Sequence, residues 1–295
     1  MEIGVVFPQT EIGADPVVVR AYAAAVEELG YRHILAYDHV LGADRSVHKG
    51  FSGPYDSDST FHEPFVLFGF LAAVTELELV TGIIILPQRQ TALVAKQAAE
   101  VDILSQGRLR VGVGLGWNRV EYDGLGKSFA DRGRRMGEQI ELLRLLWTQP
   151  SVTFQGHYET VTGAGLAPLP VQRPIPVWVG AQSRAAYLRA GALGDGWFPQ
   201  MQPGGALDDA LEAVRAGARE AGRDPATLGM HGRTRLSAGV DAAAEAVTLW
   251  RAAGATHLSI DTMGLVPGTT AGIDRHLAAL AELAGAVALP RGPLP

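Results

Sequence analysis

The sequence contains no cysteine among its 295 residues. This absence excludes disulfide bonds, iron–sulfur clusters, thiolate zinc sites and cysteine nucleophiles. Lysine and arginine together number 25, against 31 aspartate and glutamate residues. The chain therefore lacks the positive excess that favours nucleic acid or anionic lipid as a partner.

Long hydrophobic runs are also missing. No uncharged apolar stretch reaches about 18 residues, so no segment is predicted to cross a membrane. The N-terminus lacks a basic region followed by an apolar stretch, which is the pattern of a signal peptide. We therefore expect a cytoplasmic protein that acts on a small molecule, with no membrane or nucleic-acid partner.

Short apolar and β-branched runs alternate with helix-like stretches along the chain. Eight runs are predicted to form strands: 3–7, 33–37, 79–86, 109–114, 175–180, 196–199, 228–235 and 256–261. Several are apolar without alternation, which is typical of parallel strands buried on both faces. Because no linker divides these units, we predict an α/β fold, a (β/α)8 TIM barrel, in one domain over residues 1–289. A doubly wound open sheet is the alternative.

Two long insertions interrupt this rhythm. The first, 41–63, follows the second strand and contains Phe51, Tyr55 and Phe61. It leaves the carboxyl end of a strand, where barrel enzymes place their sites. The second, 149–174, precedes the fifth strand, so the sequence does not assign it to that face. The tail, 290–295, is predicted to be flexible.

Asp38 and His39 follow the second strand directly. In a barrel this position is at the catalytic rim, and histidine can exchange protons near neutral pH or donate a hydrogen bond to a developing charge. The alternative is structural, with Asp38 capping the turn and His39 packed at the rim.

Three glycines lie at the end of the fourth strand, where the sequence of residues 112–118 is GVGLGWN. The dinucleotide fingerprint G-x-G-x-x-G fails here, because Trp117 or Arg119 occupies the third glycine position. A strand kept bare so that a flat ligand can approach is the favoured interpretation. Close packing inside the barrel is the alternative.

The ends of the third and fifth strands offer two further candidates. Ile83, Ile84 and Leu86 are bulky enough to form an apolar shelf beneath an aromatic ring, although they also suit a barrel core. The segment from Gly180 to Ser183 leads into a helix whose free N–H groups could bind an anion such as phosphate. An ordinary helix cap is the alternative there.

Several other barrel chemistries lack their residues. There is no His-x-His pair for a metal hydrolase, no lysine on a predicted strand for a Schiff base, and no Gly-x-Ser-x-Gly elbow. We therefore predict no metal site.

The sequence resembles the luciferase-like monooxygenase superfamily, and within it the branch that uses the deazaflavin coenzyme F-420 (written F420 in enzyme names). The resemblance covers residues 1 to about 200, and 93–117 is its most specific block. It is carried by 4–8, 28–31, 38–39, 64–65 with 72–73, 81–89, 93–117, 132–135, 174–180 and 194–197.

This resemblance implies a flavin-type cofactor at the carboxyl face of a TIM barrel, and often a homodimer. The ring is expected over the third-strand end, at a non-proline cis peptide near residues 83–84, with the phosphate side toward the fourth and fifth strands. Asp38 and His39 are implied as catalytic. The implied cofactor contacts are Asp38, His39, Ile83, Ile84, Leu86, Gly114, Gly116, Trp117, Asn118, Gly180, Ala181, Gln182 and Ser183.

The chain departs from one similar member at Trp117. That member oxidises a sugar phosphate and has a glutamate at this position, so the tryptophan disfavours such a substrate. We expect instead a less polar substrate against an apolar wall of Phe51, Tyr55, Phe61 and Trp117.

The leading hypothesis is hydride transfer between coenzyme F-420 and this substrate. A monooxygenase that uses FMN and molecular oxygen is the first alternative. A cofactor-free lyase or isomerase built on Asp38, His39 and Asp261 is the second, and a non-enzymatic binding barrel the third.

Overall fold

Eight parallel strand positions close into a barrel in the computed structural model, which describes residues 1–265 and 272–290. The strands are β1 (Glu2–Val6), β2 (His33–Ala36), β3 (Glu78–Thr81), β4 (Ile84–Ile85), β5 (Leu109–Gly114), β6 (Val152–Gln155), β7 (Thr160–Ala164), β8 (Val177–Ala181), β9 (Gly196–Pro199), β10 (Gly229–Arg235) and β11 (His257–Asp261). The barrel order is β3, β2, β1, β11, β10, β9, β8 and β5, and pairing of β5 with β3 closes the ring. The predicted TIM barrel is therefore confirmed.

In the described part of the chain, nine helices surround the barrel: α1 (Pro16–Glu28), α2 (Pro64–Leu71), α3 (Thr91–Leu104), α4 (Arg119–Gly124), α5 (Arg132–Thr148), α6 (Arg184–Leu193), α7 (Gly205–Glu220), α8 (Val240–Ala252) and α9 (Asp274–Ala286). Their starts follow local chemistry. Asp15 accepts a hydrogen bond from the Val17 N–H and Pro16 takes the first turn of α1, where its missing N–H costs nothing. None of these helices is long and apolar enough to span a bilayer.

Two apolar layers hold the strands. The outer layer lies between strands and helices, and the inner layer fills the barrel itself. The inner layer is Val6, Leu35, Tyr37, Val80, Trp178 and Phe198. Several strands are buried on both faces, so their sequences are largely apolar without alternation, which is why these strands could be predicted.

The amino end of the barrel is closed by a polar layer that we term the barrel floor: His33, Glu78, Arg110, Trp178, His231, His257 and Ser259. Arg110 is its centre. Its guanidinium donates to both carboxylate oxygens of Glu78, at 2.8 and 2.6 Å, and to Nδ1 of His231 at 3.1 Å. It also lies 4.3 Å from the ring centre of Trp178. All three nitrogens of this guanidinium therefore have a partner within the protein.

The floor histidines are held neutral. Oγ of Ser259 lies 2.8 Å from Nε2 of His33 and 2.8 Å from Nε2 of His231. Burial, with the nearby Arg110 charge, lowers the pKa of His33 well below its usual value, and burial does the same to His231. Burial and Arg110 lower the pKa of His257 to about 3.

The structure differs from the predicted elements at the third strand and in the insertions. The predicted strand 79–86 is broken by a cis peptide between Gly82 and Ile83, one residue before the expected place, and ends in a 3-10 turn at Leu86–Gln88. Segment 41–63 forms no helix or strand, whereas 149–174 contains the β6–β7 hairpin. Residues 291–295 of the predicted flexible tail lie outside the described residues.

Candidate functional site

A cavity of about 450 Å³ opens where the barrel strands end at their carboxyl side, and we call it the mouth cavity. Its volume is in the range of small-molecule sites. The predicted site residues that line it are Asp38, His39, Tyr55, Ile83, Gly114, Gly116, Trp117, Gly180, Ala181, Gln182 and Ser183. The structure thus brings residues from four strand ends and from insertion 41–63 to one place.

The remaining predicted site residues lie elsewhere. Ile84 and Leu86 are completely buried in the outer layer, because side chains alternate along the strand and only Ile83 and Ile85 face the cavity. Asn118 and Phe61 line a second, smaller cavity of about 150 Å³ on the other side of His39. Phe51 lines neither of these two cavities and packs on Trp117, with ring centres 5.8 Å apart.

Ile83 and Ile85 form an aliphatic shelf at the edge of the mouth cavity. The shelf depends on neighbouring glycines. A Cβ on Gly114 would lie 2.6 Å from Cδ1 of Ile83, and one on Gly180 would lie 3.3 Å from its Cγ2. The absence of these side chains therefore makes room for the Ile83 side chain across the strand ends.

His39 is surrounded by the rings of Phe61, Tyr55 and Trp117, which we call the collar. Its ring centre lies 4.7 Å from that of Phe61, 5.4 Å from that of Tyr55 and 5.4 Å from that of Trp117. The His39 side chain is 11% exposed, so the collar leaves one small opening toward the cavity. Trp117 lines the cavity itself, as the expected apolar wall requires.

Glu121, on α4, is a partner of His39 that the sequence did not indicate. Its completely buried carboxylate places Oε2 at 3.6 Å from Nδ1 of His39. The other oxygen accepts the N–H groups of Val40 and Leu41, at 2.5 and 3.1 Å. Burial raises the pKa of Glu121, but the hydrogen bonds from His39 and these two amides outweigh it, so the net pKa is lowered. Glu121 is therefore an anion aimed at His39.

Asp38 has no free oxygen for chemistry. Its carboxylate accepts hydrogen bonds from Nη2 of Arg89 at 2.7 Å and from the Ile85 N–H at 2.9 Å. Arg89 also donates to Glu63 at 2.9 Å. Burial raises the pKa of Asp38 despite the Arg89 charge. Through its hydrogen bond with the Ile85 N–H, Asp38 links the end of β2 to the shelf.

The opposite side of the cavity can hold an anion. Ser183 caps α6, accepting the Ala186 N–H at 3.4 Å. Arg132, at the start of α5, also lines the cavity; it stacks 3.7 Å from the Phe129 ring and donates to the Phe129 carbonyl. Its Nε is buried with no hydrogen-bond partner among the described residues. The cation at this end is therefore Arg132, whereas Arg184 is exposed and outside the cavity.

The model of the luciferase-like monooxygenase family matches residues 1–287. The chain belongs to this family. The F420-dependent hydroxymycolic acid dehydrogenase of Mycobacterium tuberculosis is 34% identical over 258 residues, which are 84% of this chain and 66% of that protein. The FMNH2-dependent dimethylsulfone monooxygenase of Pseudomonas putida is 33% identical over 152 residues, 50% of this chain and 42% of that protein.

A solved structure shares the whole fold. An F420-dependent secondary alcohol dehydrogenase, in complex with an F420-acetone adduct, superposes with a TM-score of 0.78 over 97% of this chain and 98% of that one, at 18% identity. This likeness concerns the fold. The predicted family is confirmed by the family match, and the solved structure agrees with the barrel.

Within this luciferase-like barrel, several cavity residues had no sequence signal. Tyr37 and Arg233 line the mouth cavity, and Nη1 of Arg233 donates to the Tyr37 hydroxyl at 2.6 Å. Gln200 and Phe198 complete that side from the end of β9. A single arginine or tyrosine carries no pattern, so only the inward-facing register of a strand could have identified these residues.

Proposed function

We propose that the protein is an oxidoreductase that transfers a hydride between coenzyme F-420 and a small, rather apolar organic substrate. The observation that carries the proposal is the mouth cavity, which combines a flat aliphatic shelf, a cation at one end and a histidine–carboxylate pair at its edge. The relative from Mycobacterium tuberculosis, whose name specifies F420 dependence, supports the choice of coenzyme.

The residues present fit such a coenzyme. Gly114 and Gly180 line the mouth cavity beside Ile83, so a planar ring would lie against the Ile83 side chain there. Arg132 and the capped start of α6 at Ser183 would hold the negatively charged side chain. When bound, the deazaflavin supplies a carbon that accepts or donates a hydride.

His39 would move the proton that accompanies the hydride. It would donate to, or accept from, the oxygen of the reacting carbon of the substrate. Glu121 would fix the orientation of the imidazole through its contact with Nδ1. The collar of Tyr55, Phe61 and Trp117 would exclude water from this exchange.

Titration of the purified protein with the two candidate coenzymes tests the proposal. We expect micromolar affinity for F-420, measured by its fluorescence, and weaker binding of FMN. The reverse order would favour the FMN-dependent monooxygenase, which the relative from Pseudomonas putida supports. Activity after complete removal of cofactor would favour the lyase or isomerase, although Asp261 does not line the mouth cavity and its Oδ1 accepts the Met263 N–H.

We also propose a homodimer. α2 is apolar on nearly every side, yet Val66 is 71% exposed. A helix without a polar face is usually covered. Light scattering should show that the wild-type protein is a dimer and that the dimer of Val66→Glu dissociates more readily. A monomeric wild-type protein would contradict the proposal.

The cytoplasmic location stays a prediction.

A further inference from the structure

We propose that Arg233 is the anchor of a carboxylate-binding subsite in the mouth cavity, so that the substrate is an organic carboxylate with an apolar body. The inference rests on the proposed function for the identity of the reaction, but its structural basis is separate. That basis is a cavity-lining guanidinium that has no carboxylate of a described residue within 4.0 Å.

The partners of Arg233 leave most of its donors free. Nη1 donates to the hydroxyl of Tyr37 at 2.6 Å, and this is its one side-chain hydrogen bond among the described residues. A guanidinium has five N–H donors in a planar fork, so about four remain. No carboxylate of a described residue lies within 4.0 Å of it, and the stretches 266–271 and 291–295 contain no acidic side chain.

Two other arginines of this barrel have carboxylate partners. Arg110 donates hydrogen bonds from two nitrogens to Glu78, and Arg89 forms ion pairs with Asp38 and Glu63. Removing a cation from water is costly unless an anion meets it. An arginine that lines a cavity and has no carboxylate of the protein in contact is therefore suited to bind an anionic group of the ligand.

The subsite lies within reach of the reacting group. Tyr55 packs on His39, with ring centres 5.4 Å apart, and both side chains line the mouth cavity together with Arg233. The three side chains therefore face one space. A substrate anchored at Arg233 would place its apolar body along Tyr55 and its reacting carbon toward His39.

The charge balance favours a monoanion. The Tyr37 hydroxyl that accepts from Arg233 lies 3.4 Å from Oδ2 of Asp261. Asp261 is thus one hydroxyl away from the anchor, and its charge would repel a second negative charge on the ligand. A carboxylate fits this balance and the planar fork of the guanidinium better than a phosphate dianion does.

Calorimetric titration with benzoate, neutral benzamide and dianionic phenyl phosphate tests the proposal. Wild type should bind benzoate at least about tenfold more tightly than benzamide or phenyl phosphate. Arg233→Met should weaken benzoate binding at least about tenfold and leave benzamide unchanged, and Arg233→Lys should retain part of the affinity. Arg235→Met, an exposed arginine on the same strand, is the matched control and should change benzoate binding less than about twofold.

Three results would overturn the proposal: no benzoate binding by wild type, equal binding by Arg233→Met, or preference for phenyl phosphate. Thermal melting of each variant checks folding, and Arg233→Lys keeps the test valid if Arg233→Met is unstable. The titrations are run with and without F-420. If F-420 fails to bind while benzoate binding still depends on Arg233, the proposed function is wrong and the subsite stands.

Discussion

Arg110 at the barrel floor and two arginines that line the mouth cavity have contrasting partners. At the floor, Arg110 is enclosed by the Glu78 carboxylate, a histidine and an indole face. At the mouth, Arg132 and Arg233 line a cavity and donate to a backbone carbonyl and a phenolic hydroxyl. Arginine thus stabilises the fold where a carboxylate of the protein matches its charge. Where no such carboxylate is in contact, the proposed ligand supplies the anion.

Acid should destabilise the folded protein through the histidines of the barrel floor. Histidine in the unfolded chain is protonated near pH 6.5, whereas burial holds the folded pKa of His33 and His231 well below that and of His257 at about 3. The unfolded state therefore binds more protons below pH 6.5, and stability present above that pH is lost as the pH falls. We expect a loss of about 1.4 kcal/mol per histidine between about pH 7.5 and 5.5, or about 4 kcal/mol together.

Urea unfolding at the two pH values measures this loss. His257→Gln should reduce it by about a third. His157→Gln, an exposed histidine in the hairpin, is the control and should leave it unchanged. A stability that stays constant across this interval would show that the floor histidines are protonated in the folded protein.

Matched substitutions of one arginine at each end sharpen the comparison. Arg110→Met removes a buried partner from Glu78 and from His231, so the free energy of unfolding should fall by about 3 kcal/mol. Arg233→Met removes a cation that has no carboxylate partner among the described residues, and should change it by less than about 1 kcal/mol. Urea unfolding at pH 7.5 gives both values, and equal effects would refute the contrast.

His39→Ala should abolish most activity and leave the floor intact. Loss of the group that transfers the proton should slow turnover at least about 100-fold. The assay follows oxidation or reduction of F-420 by any active substrate, and circular dichroism checks the fold. An unchanged rate would eliminate His39 from the reaction.

Glu121→Gln should have a smaller effect, about tenfold on kcat, because it acts through His39. Glutamine keeps the shape of the side chain but not its charge, so the loss should fall on kcat, with KM and the melting temperature nearly unchanged. Asp123→Asn on the same helix, which is exposed, is the control. A lower melting temperature, or a rise in KM with kcat unchanged, would indicate that Glu121 only supports the loop.

Much of the barrel could be predicted because burial on both faces leaves continuous apolar runs in the sequence. Ile84 and Leu86, which were predicted as cofactor contacts, lie in the outer layer. The strand stops at Thr81 and resumes at Ile84, and no residue pattern reveals which side chains face inward after that interruption. Composition alone cannot assign a face once a strand is interrupted.

The site was partly predictable for a different reason. His39 follows a strand directly, so its place at the rim follows from sequence order. Glu121 meets Val40 and Leu41 from 80 residues away, and Arg233 meets Tyr37 from 196 residues away. Such pairs arise only when the barrel closes, so single residue types carry no sign of them.

Three of the four residues of the aromatic wall come from a different stretch of chain than the shelf. Tyr55, Phe61 and Phe51 belong to insertion 41–63, while the shelf and its glycines lie at strand ends. A loop can be exchanged or lengthened without disturbing strand pairing. Replacement of this one surface segment would therefore change the wall of the cavity while the strand ends beneath it keep their geometry.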